Sequence, residues 1–112
     1  MAIAPATYNI ELQRRASYYV DLQFKDSNNA VIDLTDWTAY SQVWNIDRTT
    51  KYADFTITYS DRLNGKIKLS LTDTQTTSLP NTAYYDVLLE DSTGIKEYYL
   101  QGKILVSEGY SA

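Results

Sequence analysis

Hydrophobic and polar residues alternate along most of this chain with a period of two. Tyr8, Ile10 and Leu12 stand against Asn9 and Glu11, and Tyr18, Val20, Leu22 and Phe24 stand against Tyr19, Asp21 and Gln23. A pleated strand sends successive side chains to opposite faces, so each run predicts a strand with one buried face. Residues 39–46 continue the pattern, with Tyr40, Trp44 and Ile46 on one side and Ala39, Ser41, Val43 and Asn45 on the other. Further inward faces are Phe55, Ile57 and Tyr59, then Ile67, Leu69 and Leu71, then Tyr85, Val87 and Leu89. In residues 95–106, Tyr98, Leu100, Ile104 and Val106 share one parity. Gly102 inside that last run marks a bulge or a close approach of another backbone.

The breaks are as informative as the runs. Asp26-Ser27-Asn28-Asn29 and residues 47–51 are polar turns, because short polar side chains hydrogen-bond their own backbone and tolerate turn dihedrals. Asn64-Gly65 favours positive φ and predicts a hairpin into residues 66–71. Thr72-Asp73-Thr74-Gln75 has the form of a capping box, which predicts one short helical turn that Leu79-Pro80 closes. Asp91-Ser92-Thr93-Gly94 turns the chain into its last run. The sum is about seven strands at spacings of about 8–15 residues. That is an all-β pattern, an immunoglobulin-like antiparallel β-sandwich with Greek-key connections. The predicted division is an N-terminal arm over residues 1–7, the sandwich over 8–106 and a tail over 107–112.

Composition narrows the chemistry. At 112 residues, 44% hydrophobic and 21% charged, the chain has the size and balance of one folded domain. It contains no cysteine and no histidine. A disulfide, a thiol nucleophile, a zinc thiolate site and a Ser-His-Asp triad are therefore excluded. Fourteen carboxylates face ten basic residues, and Arg14-Arg15 is the only adjacent basic pair, too little for a phosphate-tracking stripe. No nucleic-acid partner is expected. The longest aliphatic runs are three residues, so no membrane span is expected either. The first five residues lack the basic and apolar regions of a secretory signal, and the missing cysteines suit folding in a reducing cytosol.

Three apparent sites dissolve on inspection. Asp26-Ser27-Asn28 opens like a calcium loop, yet Ala30, Val31 and Trp37 occupy the positions for an oxygen ligand, the turn glycine and the bidentate glutamate. Asp33 and Asp36 then read as turn residues, with Trp37 against the sandwich end. Asp21, Asp54 and Asp86 fall on outward strand faces, where a solvated role is the default, and nothing marks a pair flanking a cleft. Asn64-Gly65-Lys66 lacks the rest of a phosphate loop. No enzyme, metal or cofactor is expected.

Eleven tyrosines carry the binding chemistry. Three adjacent pairs, Tyr18-Tyr19, Tyr84-Tyr85 and Tyr98-Tyr99, each place one ring inside and one outside. By parity the outward rings are Tyr19, Tyr84 and Tyr99, with Leu88 enlarging the patch around Tyr84. Tyrosine suits binding surfaces because it supplies large contact area at little rotamer cost, although it is also an ordinary strand-surface residue. The alternative to a protein interface is a carbohydrate-binding module that stacks sugars on these rings.

Two resemblances bear on the fold and role. Asn81-Thr82-Ala83-Tyr84-Tyr85-Asp86-Val87 resembles the start of strand F in immunoglobulin-type domains. That implies a corner role for Tyr85, its hydroxyl bonding back to the preceding loop, with Val87 in place of the cysteine and Trp37 or Trp44 as the central tryptophan. The succession of Phe24-Lys25-Asp26-Ser27, Asp33-Leu34-Thr35-Asp36-Trp37 and Gly65-Lys66-Ile67-Lys68-Leu69-Ser70-Leu71-Thr72 resembles a β-sandwich domain of bacteriophage tail and baseplate proteins. Tyr85-Asp86-Val87-Leu88-Leu89 and Tyr99-Leu100-Gln101-Gly102-Lys103-Ile104-Leu105-Val106 complete the series. The similarity is to the N-terminal domains of baseplate upper proteins and tail-fibre adaptors. It implies a virion structural protein, made in the host cytoplasm, that assembles with other tail or baseplate proteins and forms a homo-oligomer. In such proteins a fibre or receptor-binding region follows the domain. Here the chain stops after the tail, which favours a small adaptor, plug or decoration component.

Overall fold

Alternation of apolar side chains builds the strands, and hydrogen-bonding polar residues turn the chain between them. The computed structural model describes residues 6–108. In order, these form β1 (Ala6–Thr7), β2 (Ile10–Gln13), β3 (Tyr18–Gln23), β4 (Thr38–Tyr40), β5 (Gln42–Trp44), β6 (Lys51–Asp54) and β7 (Thr56–Asp61). A 3-10 turn (Arg62–Asn64), β8 (Lys66–Leu71), α1 (Asp73–Thr77), β9 (Thr82–Glu90) and β10 (Lys96–Ser107) follow. The smaller sheet is antiparallel in the order β3-β8-β7. The larger is centred on β9, with β10 on one side and β4 and β5 on the other; β6 lies beyond β5, and β1 and β2 line the far edge of β10. The chain crosses between the sheets after β2, β3, β6 and β8, which is a β-sandwich of immunoglobulin-like form.

The sandwich differs from the expected one in strand number and in one direction of pairing. The described residues hold ten strands rather than about seven, because one expected strand is divided and β1 and β6 are added short ones. Residues 39–46 divide at Ser41, whose hydroxyl donates to the Asp86 carbonyl at 2.6 Å and whose own carbonyl accepts from the Phe55 amide. The first run begins only at Ile10, with Tyr8 and Asn9 linking it to β1. Pairing is not wholly antiparallel: β1 and β2 run parallel to β10, with Ala6 opposite Leu100 and Ile10 opposite Ile104. Ala6 and Thr7, expected in an arm, are thus sheet residues, and Ser107, expected in a tail, pairs with Gln13. The remainder of that arm and tail, residues 1–5 and 109–112, lies outside the described residues.

The inner faces close on one core. Ile10, Leu34, Val43, Ile67, Leu69, Val87, Leu89 and Ile104 are almost wholly buried. Each such side chain contributes about 1.5–3 kcal/mol of burial free energy. Phe24 meets Tyr99 and Phe55 meets Tyr85 edge-to-face, with ring centroids 6.0 and 5.9 Å apart. The predicted capping box is present: the Thr72 hydroxyl accepts from the Gln75 amide, and the Gln75 side chain accepts from the Thr72 amide. Buried Thr76 of α1 donates to the Ala16 carbonyl and so ties the helix to the approach of β3. At the opposite turn Gly65 has φ 71°, and a Cβ there would meet the carbonyl oxygens of Ile32 and Phe24 at 2.7 and 2.8 Å. Only glycine fits that position.

Candidate functional site

The outward side of the larger sheet is built by cross-strand register. Tyr40 of β4 stands opposite Leu88 of β9, which stands opposite Tyr98 of β10. Four residues back along β9, Trp44 of β5 stands opposite Tyr84, and Tyr84 opposite Lys103. Asp86 lies between the two rows, on the same face. At a rise of about 3.4 Å per residue the rows are roughly 14 Å apart. The turn after β5 closes one side. The Asn45 carboxamide oxygen accepts from the Thr49 and Thr50 amides at 2.8 and 3.0 Å and fixes that turn. Arg48, at φ 55°, then lies 4.8 Å from the centroid of the Trp44 ring. The result is an open concavity of about 410 Å³, lined by residues that include Tyr40, Trp44, Ile46, Arg48, Tyr84, Asp86, Leu88, Lys96 and Tyr98.

Its floor and rim are electrostatically distinct. Asp86 is half-buried, and burial pushes its carboxyl above the ordinary carboxylate range, an effect the Arg48 guanidinium partly offsets. Among the described residues no hydrogen bond reaches that carboxylate. On the rim the Tyr40 hydroxyl donates to Glu90 at 2.9 Å, which raises the tyrosine pKa. The Trp44 indole N–H donates to Gln42 at 2.9 Å. The site therefore offers ring faces and aliphatic surface around one carboxylate and two cations.

The four expected interface residues separate. Tyr84 and Leu88 do line the concavity, each half-buried. Tyr19 is 65% exposed but belongs to the smaller sheet, on the opposite side of the sandwich, with the Lys68 ammonium 5.0 Å over its ring. Tyr99 points inward, against the expectation, and packs edge-to-face on Phe24 and on Trp37 at 6.4 Å. The cause is a register shift. Tyr98 opposes Leu88 and Leu100 opposes Val87, so Tyr99 is an extra residue that exchanges the parity of its neighbours. Tyr98, expected inside, becomes the outward ring and is 49% exposed.

The expected structural residues also divide. Tyr85 is buried, but its hydroxyl donates to the Tyr8 carbonyl at 2.6 Å between β1 and β2 and not to the loop before β9. Gly102 is a close approach, since a Cβ there would run into the Tyr8 carbonyl; the bulge itself falls at Tyr99. Trp37 packs half-buried at the sandwich end, where its carbonyl and that of Leu34 accept from Arg62. Trp44 faces outward because Ala39, Ser41 and Val43 are the buried side of that strand pair, so it is not a central tryptophan. Asp26, Asp33 and Asp91 each accept backbone amides two residues on, as turn residues do. Asp21 and Asp54 are exposed. Asp86, Arg48 and Lys96 were not legible as site members: the first reads as a solvated strand carboxylate, Arg48 as a turn residue and Lys96 as an ordinary strand residue. The set Tyr40, Trp44 and Ile46 on one strand face was the available signal.

Among the described residues no helix is long and apolar enough to cross a membrane, and no three acidic groups gather as metal ligands. No protein-family model matches the chain, and no curated protein matches it in sequence. Among solved structures it is similar to the Lin-41 filamin domain in its crystal structure, with a TM-score of 0.49 and 17% identity over 88% of this chain and 84% of that one. The sandwich assignment rests on the strand pairings described above.

Proposed function

We propose that this chain is a non-enzymatic virion structural protein, an adaptor, plug or decoration component of a bacteriophage tail or baseplate that acts by protein–protein assembly. The observation that supports assembly is the row Tyr40, Leu88 and Tyr98 on the outer face of the larger sheet, with Ile46 71% and Ile95 59% exposed nearby in sequence. Exposed apolar and aromatic residues gathered on one face are the usual mark of a binding surface. The tail or baseplate setting is carried by the order of sequence motifs from Phe24 to Val106. Neighbouring tail proteins or further copies of the chain are the partners.

The test is native mass spectrometry of the chain alone and co-expressed with adjoining tail proteins. The double substitution Leu88→Ser with Tyr98→Ser should abolish the complex while the circular dichroism spectrum stays that of the folded protein. A complex that survives this change with undiminished yield sinks the docking face; a chain that stays monomeric with every tail protein sinks the role.

A further inference from the structure

The concavity has a mixed floor, and that floor selects its occupant. Tyr40, Tyr84 and Tyr98 present aromatic surface. Between the two rows Asp86 holds a half-buried carboxylate that accepts no hydrogen bond among the described residues. An apolar side chain seated there would shut that carboxylate away from water without a partner, which is strongly unfavourable. A cationic side chain would pair with Asp86 but would meet Arg48 and Lys96, both of which line the same space. An anion would meet Asp86 itself, with Glu90 at the rim beside Tyr40. A neutral ligand with hydroxyls on its edges and C–H surface on its faces satisfies every group.

We propose that this concavity binds a neutral saccharide, with Asp86 accepting sugar hydroxyls, Arg48 and Lys96 donating to sugar oxygens, and the tyrosine rings packing against the C–H faces. The free volume of about 410 Å³ lies within the roughly 300–1,000 Å³ of small-ligand sites. The site is open to solvent, which suits a terminal or internal stretch of a longer glycan. Arg48 is already placed, because the Asn45-fixed turn and the Trp44 ring hold it at the wall before any ligand arrives. Little ordering remains for binding to supply. This inference goes beyond the assembly role; the concavity shares Tyr40, Leu88 and Tyr98 with the proposed docking face, so a saccharide and a partner protein would compete for it.

The test is a nuclear magnetic resonance titration of the whole ¹⁵N-labelled chain with maltotriose, cellotriose, mannotriose and tri-N-acetylchitotriose, each to about 10 mM, a weak-binding limit. The indole N–H of Trp44 should shift saturably with at least one of them while that of Trp37, at the sandwich end, stays put. Asp86→Asn keeps the shape of the site and should weaken binding about tenfold, since one acceptor oxygen becomes a donor and the remaining hydrogen bond loses its charge. Tyr19→Ser, on the opposite face, should leave the affinity unchanged and excludes indiscriminate stacking on tyrosine. The proposal is overturned if none of the four sugars gives a saturable shift, or if Asp86→Asn binds as well as the parent. It is also overturned if trilysine moves the Trp44 signal where sugars do not, which would make the occupant a cation. Where complexes form, a saturating concentration of the bound trisaccharide should diminish them in native mass spectra, since both occupants use Tyr40, Leu88 and Tyr98; complexes undiminished by bound sugar count against the docking face and not against the saccharide site. Complexes that never form, with sugar binding retained, count against the virion role alone.

Discussion

The two outer faces of the sandwich are made by the same alternation and have opposite characters. On the smaller sheet Tyr19 faces Ser70, Asp21 faces Lys68 and Gln23 faces Lys66, with Thr56 and Thr58 completing the outward rows. Opposite charges sit across from each other, and the one large ring lies under an ammonium. Asp21 also places a carboxylate on the open edge strand β3, a common guard against stray strand pairing. On the larger sheet the corresponding positions carry Tyr40, Trp44, Tyr84, Leu88 and Tyr98 around the Asp86 carboxylate, with Glu90 at the rim. Fold formation asks only for the inner positions, so an outer face is free to vary. Where it departs from solvated polar residues, the departure points to binding.

The contrast breaks most severely where the larger sheet is extended. Gly102→Ala would drive a methyl group into the Tyr8 carbonyl and displace the edge strands, with an expected loss of about 2–3 kcal/mol in urea unfolding. Tyr85→Phe should cost about 1–2 kcal/mol, because it leaves the Tyr8 carbonyl without its donor. The same region sets an alkaline limit. Burial pushes the Tyr85 hydroxyl pKa up and that of Tyr18 up to about 12, so the folded state holds protons that the unfolded state releases near pH 10. Their contribution is fully present below pH 10 and disappears as pH rises through the folded values, which a thermal melt series from pH 8 to 12 would read as a falling midpoint.

Smaller changes sharpen the contrast instead. Tyr98→Ser and Tyr19→Ser should each alter stability by under about 1 kcal/mol, since both rings are largely exposed. Only the first should weaken assembly in native mass spectra. Equal effects from the two would show that the faces are not functionally distinct. The least change is expected from Asp86→Asn. Burial raises the folded pKa of Asp86, so its carboxyl favours the fold only below the ordinary carboxylate range and opposes it once ionised. At neutral pH the variant should therefore melt slightly higher, by under about 1 kcal/mol after solvent screening. A residue that costs stability where it sits and improves it when neutralised is the pattern of a functional group.

Much of this was legible in the sequence, and the failures share a cause. Val20, Ile67, Leu69, Val87 and Ile104 betray the inner faces because burial imposes strict alternation. The Thr72 capping box and the Gly65 turn were readable because each is a local hydrogen-bonding or steric requirement. Tyr99 was misplaced because two adjacent tyrosines fit either parity, and a one-residue bulge leaves no mark on such a pair. The partner of Tyr85 was missed because Tyr8 lies 77 residues away. The concavity was missed for the same reason: its parts come from β4, β5, the turn after them, β9 and β10, and only pairing brings them together.

The parallel placement of β1 and β2 along β10 has a mechanical consequence. A pull on Ala6 in one direction and on Glu108 in the other acts along the axes of two strands that run the same way. The load falls in shear on the whole ladder from Ala6–Leu100 to Gln13–Ser107, together with the Tyr8 amide on the Gln101 carbonyl and the Arg14 amide on the Ser107 carbonyl. No single hydrogen bond can open ahead of the rest, as it would if the strands were peeled from one end. The two salt bridges from Arg14 and Arg15 to Glu108 fasten the far end of that ladder. Tension applied across the domain would thus meet its most evenly shared row of bonds first.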